Sequence, residues 1–185
     1  MTPKTDFLTG LRSHIHQHAA EVQSVFLELD DTQLTWRPRP GEWNILQCFD
    51  HLNLTHDYYA PKVADGLAQR RPALPAADSY APSFWGRIYM HFSFNPKYSF
   101  PTVPAITPGA DNLGRDVLHR YLAKQEGLLA TLDAVASLDL RATTVPIEKF
   151  VRFNLGDCLK ILVYHDQLHI GQAQRVLQTF QEKSA

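Results

Sequence analysis

Residues 163–177 read VYHDQLHIGQAQRVL, an apolar-periodic run broken by two histidines four residues apart. A spacing of i and i+4 stacks His165 and His169 on one helical face. Two neutral imidazoles so placed can share one divalent ion. Gln172 extends the same side by another turn. A third imidazole, His51, lies on the flank of a second amphipathic segment. Three imidazoles from two facing helices would leave coordination positions open, the mark that separates catalytic metal sites from closed structural ones. The spacing alone is weak, however. The chain has nine histidines, and His14 and His18 repeat the same interval. A buried imidazole bonded to a carbonyl is the commoner outcome for such a residue.

Four helices must carry these side chains. The first is expected from about Thr5 to Leu29, with Leu8, Leu11, Ile15, Val22, Phe26 and Leu29 as its stripe. His18 falls inside that stripe, His14 on its border and His16 opposite. The second opens at GEWNILQ, where Asn44 as N-cap and Gln47 three residues on make a capping box; Pro61 would kink or end it. The third spans about Asn112 to Ser137. The fourth opens at FNLGDCLKIL, with Asn154 as N-cap and Asp157 in the first turn. Its inner face carries Leu155, Leu159, Leu162, His169, Ala173, Val176 and Phe180. TTVPIEKFVRF (143–153) is the only extended candidate, and Pro146 argues against a central strand. The fold class expected is therefore all-α, a four-helix bundle in a single domain over 1–185.

Between helices two and three, residues 79–109 set eight aromatics among five prolines. The segment is too apolar for a disordered linker. It is expected to hold one short helix near Ser83–Phe92, then an extended run. It serves either as a pocket wall or as a plug of extra core. Trp85 is the candidate pocket residue there, offering a flat apolar face and one N–H donor.

Bulk properties exclude other classes. Eighteen basic and nineteen acidic residues give a net charge of −1, with no electrostatic case for nucleic acid or an anionic membrane. The short basic run QRRP (69–72) reads as solvated surface. No stretch approaches a membrane span, and the first residues lack the apolar run of a signal peptide. Cys48 and Cys158 form no CxxC pair and support no disulfide scaffold. A cytoplasmic protein with reduced thiols is expected. No Ser-His-Asp order, phosphate loop or dinucleotide fingerprint competes.

WNILQCFDHLNLTHDYYAPKV (43–63) resembles the second-helix signature of the DinB-like (YfiT-type) metal-binding family, with Trp43, Asn44 and His51-Leu52 at the matching places. LGDCLKILVYHDQLHIGQAQRVLQ (155–178) is similar to the family's fourth helix, whose hallmark is HxxxHxxQ. The resemblance implies an up-down-down-up bundle and one divalent metal, zinc or nickel, held by His51, His165 and His169. Gln172 matches the family's common glutamine. His18 is a candidate for lining the pocket. Asp166, between the two helix-four ligands, could orient an imidazole or form an ion pair. His56, His91 and His119 are expected at the surface or in loops. The antiparallel second and fourth helices that the family implies put the two cysteines at opposite ends, against a disulfide.

The family includes transferases and isomerases that use bacillithiol, mycothiol or glutathione. The resemblance thus implies a metal-dependent, small-thiol-dependent transferase acting on a small molecule, compatible with a homodimer. The alternatives are a non-catalytic metal-binding stress-response module and a metal-dependent hydrolase.

Overall fold

The computed structural model describes residues 1–68, 77–94, 97, 102–109, 112–148 and 150–184, without the side chain of Glu148. QRRP (69–72), Tyr98 and Phe100 lie outside the described residues. In chain order the elements are β1 (Thr2–Pro3), α1 (Lys4–Ser24), a 3-10 turn (Phe26–Glu28), α2 (Asp31–Thr35), α3 (Ile45–Ala68), β2 (Ser79–Tyr80), α4 (Phe84–Ser93), a 3-10 turn (Pro104–Ile106), α5 (Asp116–Val135), β3 (Thr144–Glu148), β4 (Val151–Asn154) and α6 (Leu155–Ser184). The protein is predominantly helical, with minor strands. No described helix is long and apolar enough to cross a membrane.

The helix starts follow from local chemistry. Asn44 Oδ1 accepts from Gln47 N–H at 2.8 Å, and Gln47 Oε1 accepts from Asn44 N–H at 3.2 Å. Asn154 and Asp157 make the same reciprocal pair at 2.7 and 3.3 Å. Each box satisfies backbone donors that a helix N-terminus otherwise leaves orphaned. Asp30 and Gln33 cap the short α2 in the same way. Helix α1 is shorter than its hydrophobic stripe: it ends at Ser24 and the chain tightens into a 3-10 turn, while Phe26 and Leu29 still reach the core. Pro61 sits within α3 and the helix continues to Ala68.

The extended candidate at 143–153 is a hairpin, β3 against β4, with an irregularity between Pro146 and Glu148. With two strands both are edges, where a proline is tolerated; Pro146 stands opposite Arg152, next to the irregularity. β1 pairs antiparallel with β2.

The long helices α1, α3, α5 and α6 pack so that α3 contacts α5 and α6, and α1 contacts the same two. Their buried apolar residues fall into two clusters. One holds Leu8, Leu11 and Ile15 of α1, Tyr59 and Val63 of α3, Leu128 and Leu132 of α5, and Leu159 and Val163 of α6. The other holds Val22, Leu52, Tyr121 and Ile170 from the same four helices. Between the clusters every helix contributes polar groups: His18 from α1, His51 and His56 from α3, Gln125 from α5, and His165, Asp166 and His169 from α6. A polar belt thus accompanies the apolar clusters, and Asn53 and Asp157 are buried besides. Burying such groups is costly unless each finds a partner.

The segment after α3 does two jobs. Tyr80 stacks on Phe7 at 3.9 Å between ring centroids and donates its hydroxyl to Asp157 at 2.8 Å. Asp157, fully buried, also accepts from Ser83 N–H. Gly86 lets α4 lie directly on that carboxylate, where any Cβ would collide with it. Tyr80 is therefore core, and α4 is pinned across the first cluster by the carboxylate that also caps α6.

Candidate metal centre

Helices α3 and α6 bring His51, His165 and His169 together, with one ring nitrogen from each lying within 4.8 Å of the others. His51 Nε2 and His165 Nε2 are 3.3 Å apart. The ring centroids of His51 and His169 are 4.5 Å apart, and those of His165 and His169 4.6 Å.

Two of the rings are oriented by their second nitrogen. His51 Nδ1–H donates to the Ile106 carbonyl at 2.6 Å, and His169 Nδ1–H donates to Gln172 Oε1 at 2.8 Å. In both, the lone pair is left on Nε2, the tautomer a metal ligand needs. His165 Nδ1 is buried without a hydrogen-bond partner among the described residues. The indole of Trp43 packs on His51 at 4.9 Å and on His169 at 5.8 Å. That ring fixes the two imidazoles relative to each other across the α3–α6 seam.

Burial holds the triad neutral. It pushes His165 well below its ordinary pKa, reinforced by the nearby His169, His51 and His56. His169 falls to about 4, chiefly through burial and then through His51. His51 is lowered by burial, against the opposing pull of the Ile106 carbonyl.

The donor set fits a divalent cation. Nitrogen ligands at about 2.0–2.1 Å in tetrahedral array would sit roughly 3.3–3.4 Å apart, which the His51–His165 separation matches. Three neutral nitrogens leave further coordination positions for a small molecule.

Two cavities meet at this triad. One, of about 680 Å³, is lined by His51, His165 and His169 on one side. Tyr58 and Tyr59 of α3, Ile88, Tyr89 and Phe92 of α4, Ile106, and the hairpin residues Ile147, Val151 and Phe153 complete it. The other, of about 690 Å³, runs from His169 and Gln172 along α6 and is walled by Pro38, Arg39, Gly41, Glu42 and Trp43. His169 and Thr102 border both.

The remaining candidates lie as follows. Trp85 is 41% exposed and lines neither cavity; Ile88, Tyr89, Phe92 and Ser93 are the α4 residues that do. His18 is buried in the belt, its Nδ1 without a partner among the described residues. Burial lowers its pKa, while Asp166 pulls the other way. His91 and His119 are exposed.

His56 is not at the surface. It is buried and bonds both oxygens of Asp166 through Nε2, at 3.0 and 3.1 Å. Gln125 Nε2 donates to the same carboxylate at 2.8 Å. A fully buried carboxylate requires such donors, and α3 and α5 supply them. Asp166 thus pairs across the core and not with its sequence neighbours. No local pattern signals this, since the partners lie 110 and 41 residues away. The Ile106 carbonyl was equally invisible. Cys48 and Cys158 are buried free thiols. Burial raises both, Cys48 to about 12, which keeps them protonated and unreactive.

The facing helices gather three imidazoles beside a cavity, a donor set that could hold a metal ion. A family model described as the DinB superfamily matches residues 14–173, and the chain belongs to that superfamily. No curated protein and no solved structure matches significantly.

Proposed function

We propose that this protein is a metal-dependent transferase that joins a small thiol to an apolar electrophile. The observation that carries the reading is the opening of the imidazole triad onto the aromatic-walled cavity. The fold on this reading is an up-down-down-up four-helix bundle. It is supported by cross-helix pairs in the matching directions: Arg12–Asp133 for α1 with α5, Asp50–Arg120 for α3 with α5, and His51–His169 for α3 with α6. Zinc or nickel is the expected ion, since imidazole suits both.

An ion held by His51, His165 and His169 would supply the Lewis acidity that keeps a bound thiol as its thiolate. The chain's own residues do the rest. Ile106 and Gln172 hold the imidazoles in register. Tyr89 and Phe92 exclude water from the cavity and orient an apolar electrophile. In the transfer a sulfur–carbon bond forms, the bond to the leaving group breaks with its electron pair, and the thiol proton goes to solvent. The same reading makes the protein cytoplasmic, consistent with two reduced cysteines, and the family resemblance adds a homodimer.

The test is a panel of physiological thiols against apolar electrophiles, followed as parallel loss of both reactants. His169→Ala should abolish turnover while thermal melting shows an intact fold. Phe92→Ala should raise KM for the electrophile and leave metal content unchanged. Absence of turnover for every pairing, in fully metal-loaded protein, would overturn the transferase reading and leave a metal-binding module.

A further inference from the structure

The second cavity is unlike the first. Its floor is a polar stripe along α6, Gln172, Arg175, Thr179 and Lys183, at three- and four-residue spacing that continues the face of His165 and His169. The opposite wall is the loop before α3. There Gly41, at φ 84°, turns the chain in the left-handed region that suits glycine and brings Arg39 and Glu42 to the rim.

The groove thus carries three cationic side chains, Arg39, Arg175 and Lys183, against one carboxylate, Glu42, in a chain whose net charge is −1. Arg39 spends little of its charge on Glu42: the pair is 4.0 Å apart and largely solvated. Lys183 lies over the Trp36 ring and reaches the Pro38 carbonyl, neither of them an acid. No ion pair involves Arg175 among the described residues. Arg175 lines the same groove as His169, which also borders the apolar cavity.

We propose that the groove is an anion subsite, in which Arg175, with Arg39 and Lys183, binds a carboxylate of the molecule whose donor atom sits at the triad. The co-substrate is then bipartite in its surroundings: its charged head lies along α6, and the group it meets lies in the aromatic cavity beyond His169. A guanidinium supplies a two-point match to a carboxylate, and Gln172 remains committed to His169. The proposal rests on the metal reading of the triad and selects carboxylate-bearing thiols over neutral ones.

The experiment measures binding to metal-loaded protein by calorimetry with two matched pairs. One pair is mercaptosuccinate against 2-mercaptoethanol. The other is imidazole-4-acetate against imidazole, which tests the groove without a thiol. Wild type should favour the carboxylate-bearing member of each pair by about tenfold, the scale of one charge-assisted hydrogen bond. Added salt should shrink the preference. Arg175→Ala should remove most of it and leave imidazole affinity unchanged.

Equal affinity within both pairs in wild type overturns the subsite. So does a preference that survives in Arg175→Ala and in the Arg39→Ala, Arg175→Ala, Lys183→Ala triple variant. Binding of the imidazole pair with the expected preference, but of neither thiol, sinks the thiol reading and keeps the subsite. Thiol binding with no charge preference does the reverse.

Discussion

His14–His18 and His165–His169 share one spacing, yet only the second pair converges with a third imidazole. The rings of His14 and His18 are 6.1 Å apart between centroids, against 4.6 Å for His165 and His169. His14 lies on the rim beside Tyr164. His18 is alone of its pair in the core, where what lies near is the Asp166 carboxylate, already bonded by His56 and Gln125. The α6 pair faces His51, with Trp43 packed at a tilt against the seam and outer acceptors at Ile106 and Gln172. The interval brings two rings to one face, and the facing helix decides whether they become a site.

The strongest way to break this comparison is metal content. Tag-free protein should carry about one divalent ion per chain, as one three-ligand site requires. His51→Ala or His165→Ala should lose it, and His14→Ala should keep it; mass spectrometry reads the outcome. Retention in the triple variant of His51, His165 and His169 to Ala would remove the distinction.

Acid should separate the pairs next. The folded pKa of His169 lies at about 4, below the ordinary 6.5, so the unfolded chain binds more protons between these values. The stability it confers is complete above about pH 6.5 and is lost as pH falls toward 4. For a shift of this size the loss is up to about 3 kcal/mol. Denaturant melts of chelator-treated protein across that window should show the fall, and His169→Leu should reduce it, leaving the part that His165, His51 and His18 contribute.

A smaller effect is expected one step out from the three imidazoles. Gln172→Ala removes the acceptor that orients His169 and should weaken metal affinity by about 10- to 100-fold, measured by chelator competition. The smallest concerns the other pair. His18→Leu removes a buried nitrogen that has no partner among the described residues. It should leave metal affinity unchanged and move stability by no more than about 1 kcal/mol.

The sequence by itself determined what depends on neighbours within a few residues. The capping pairs Asn44–Gln47 and Asn154–Asp157, the apolar stripes, the start of α4 at Ser83 and the i, i+4 placement of His165 and His169 are all consequences of helical geometry. Helix α2 was not among the expected elements: its Asp30–Gln33 box is a local signal, but its five residues carry too little periodicity to stand out. The tertiary structure alone decided what depends on residues far apart in the chain. It buried His56 against Asp166, gave His51 the Ile106 carbonyl, and turned Tyr89 and Phe92, with no contribution from Trp85, to the cavity. It also set a basic groove beside an apolar one. Partners of this kind are chosen by the packing of whole helices, because a buried polar group takes whichever donor or acceptor the facing element presents.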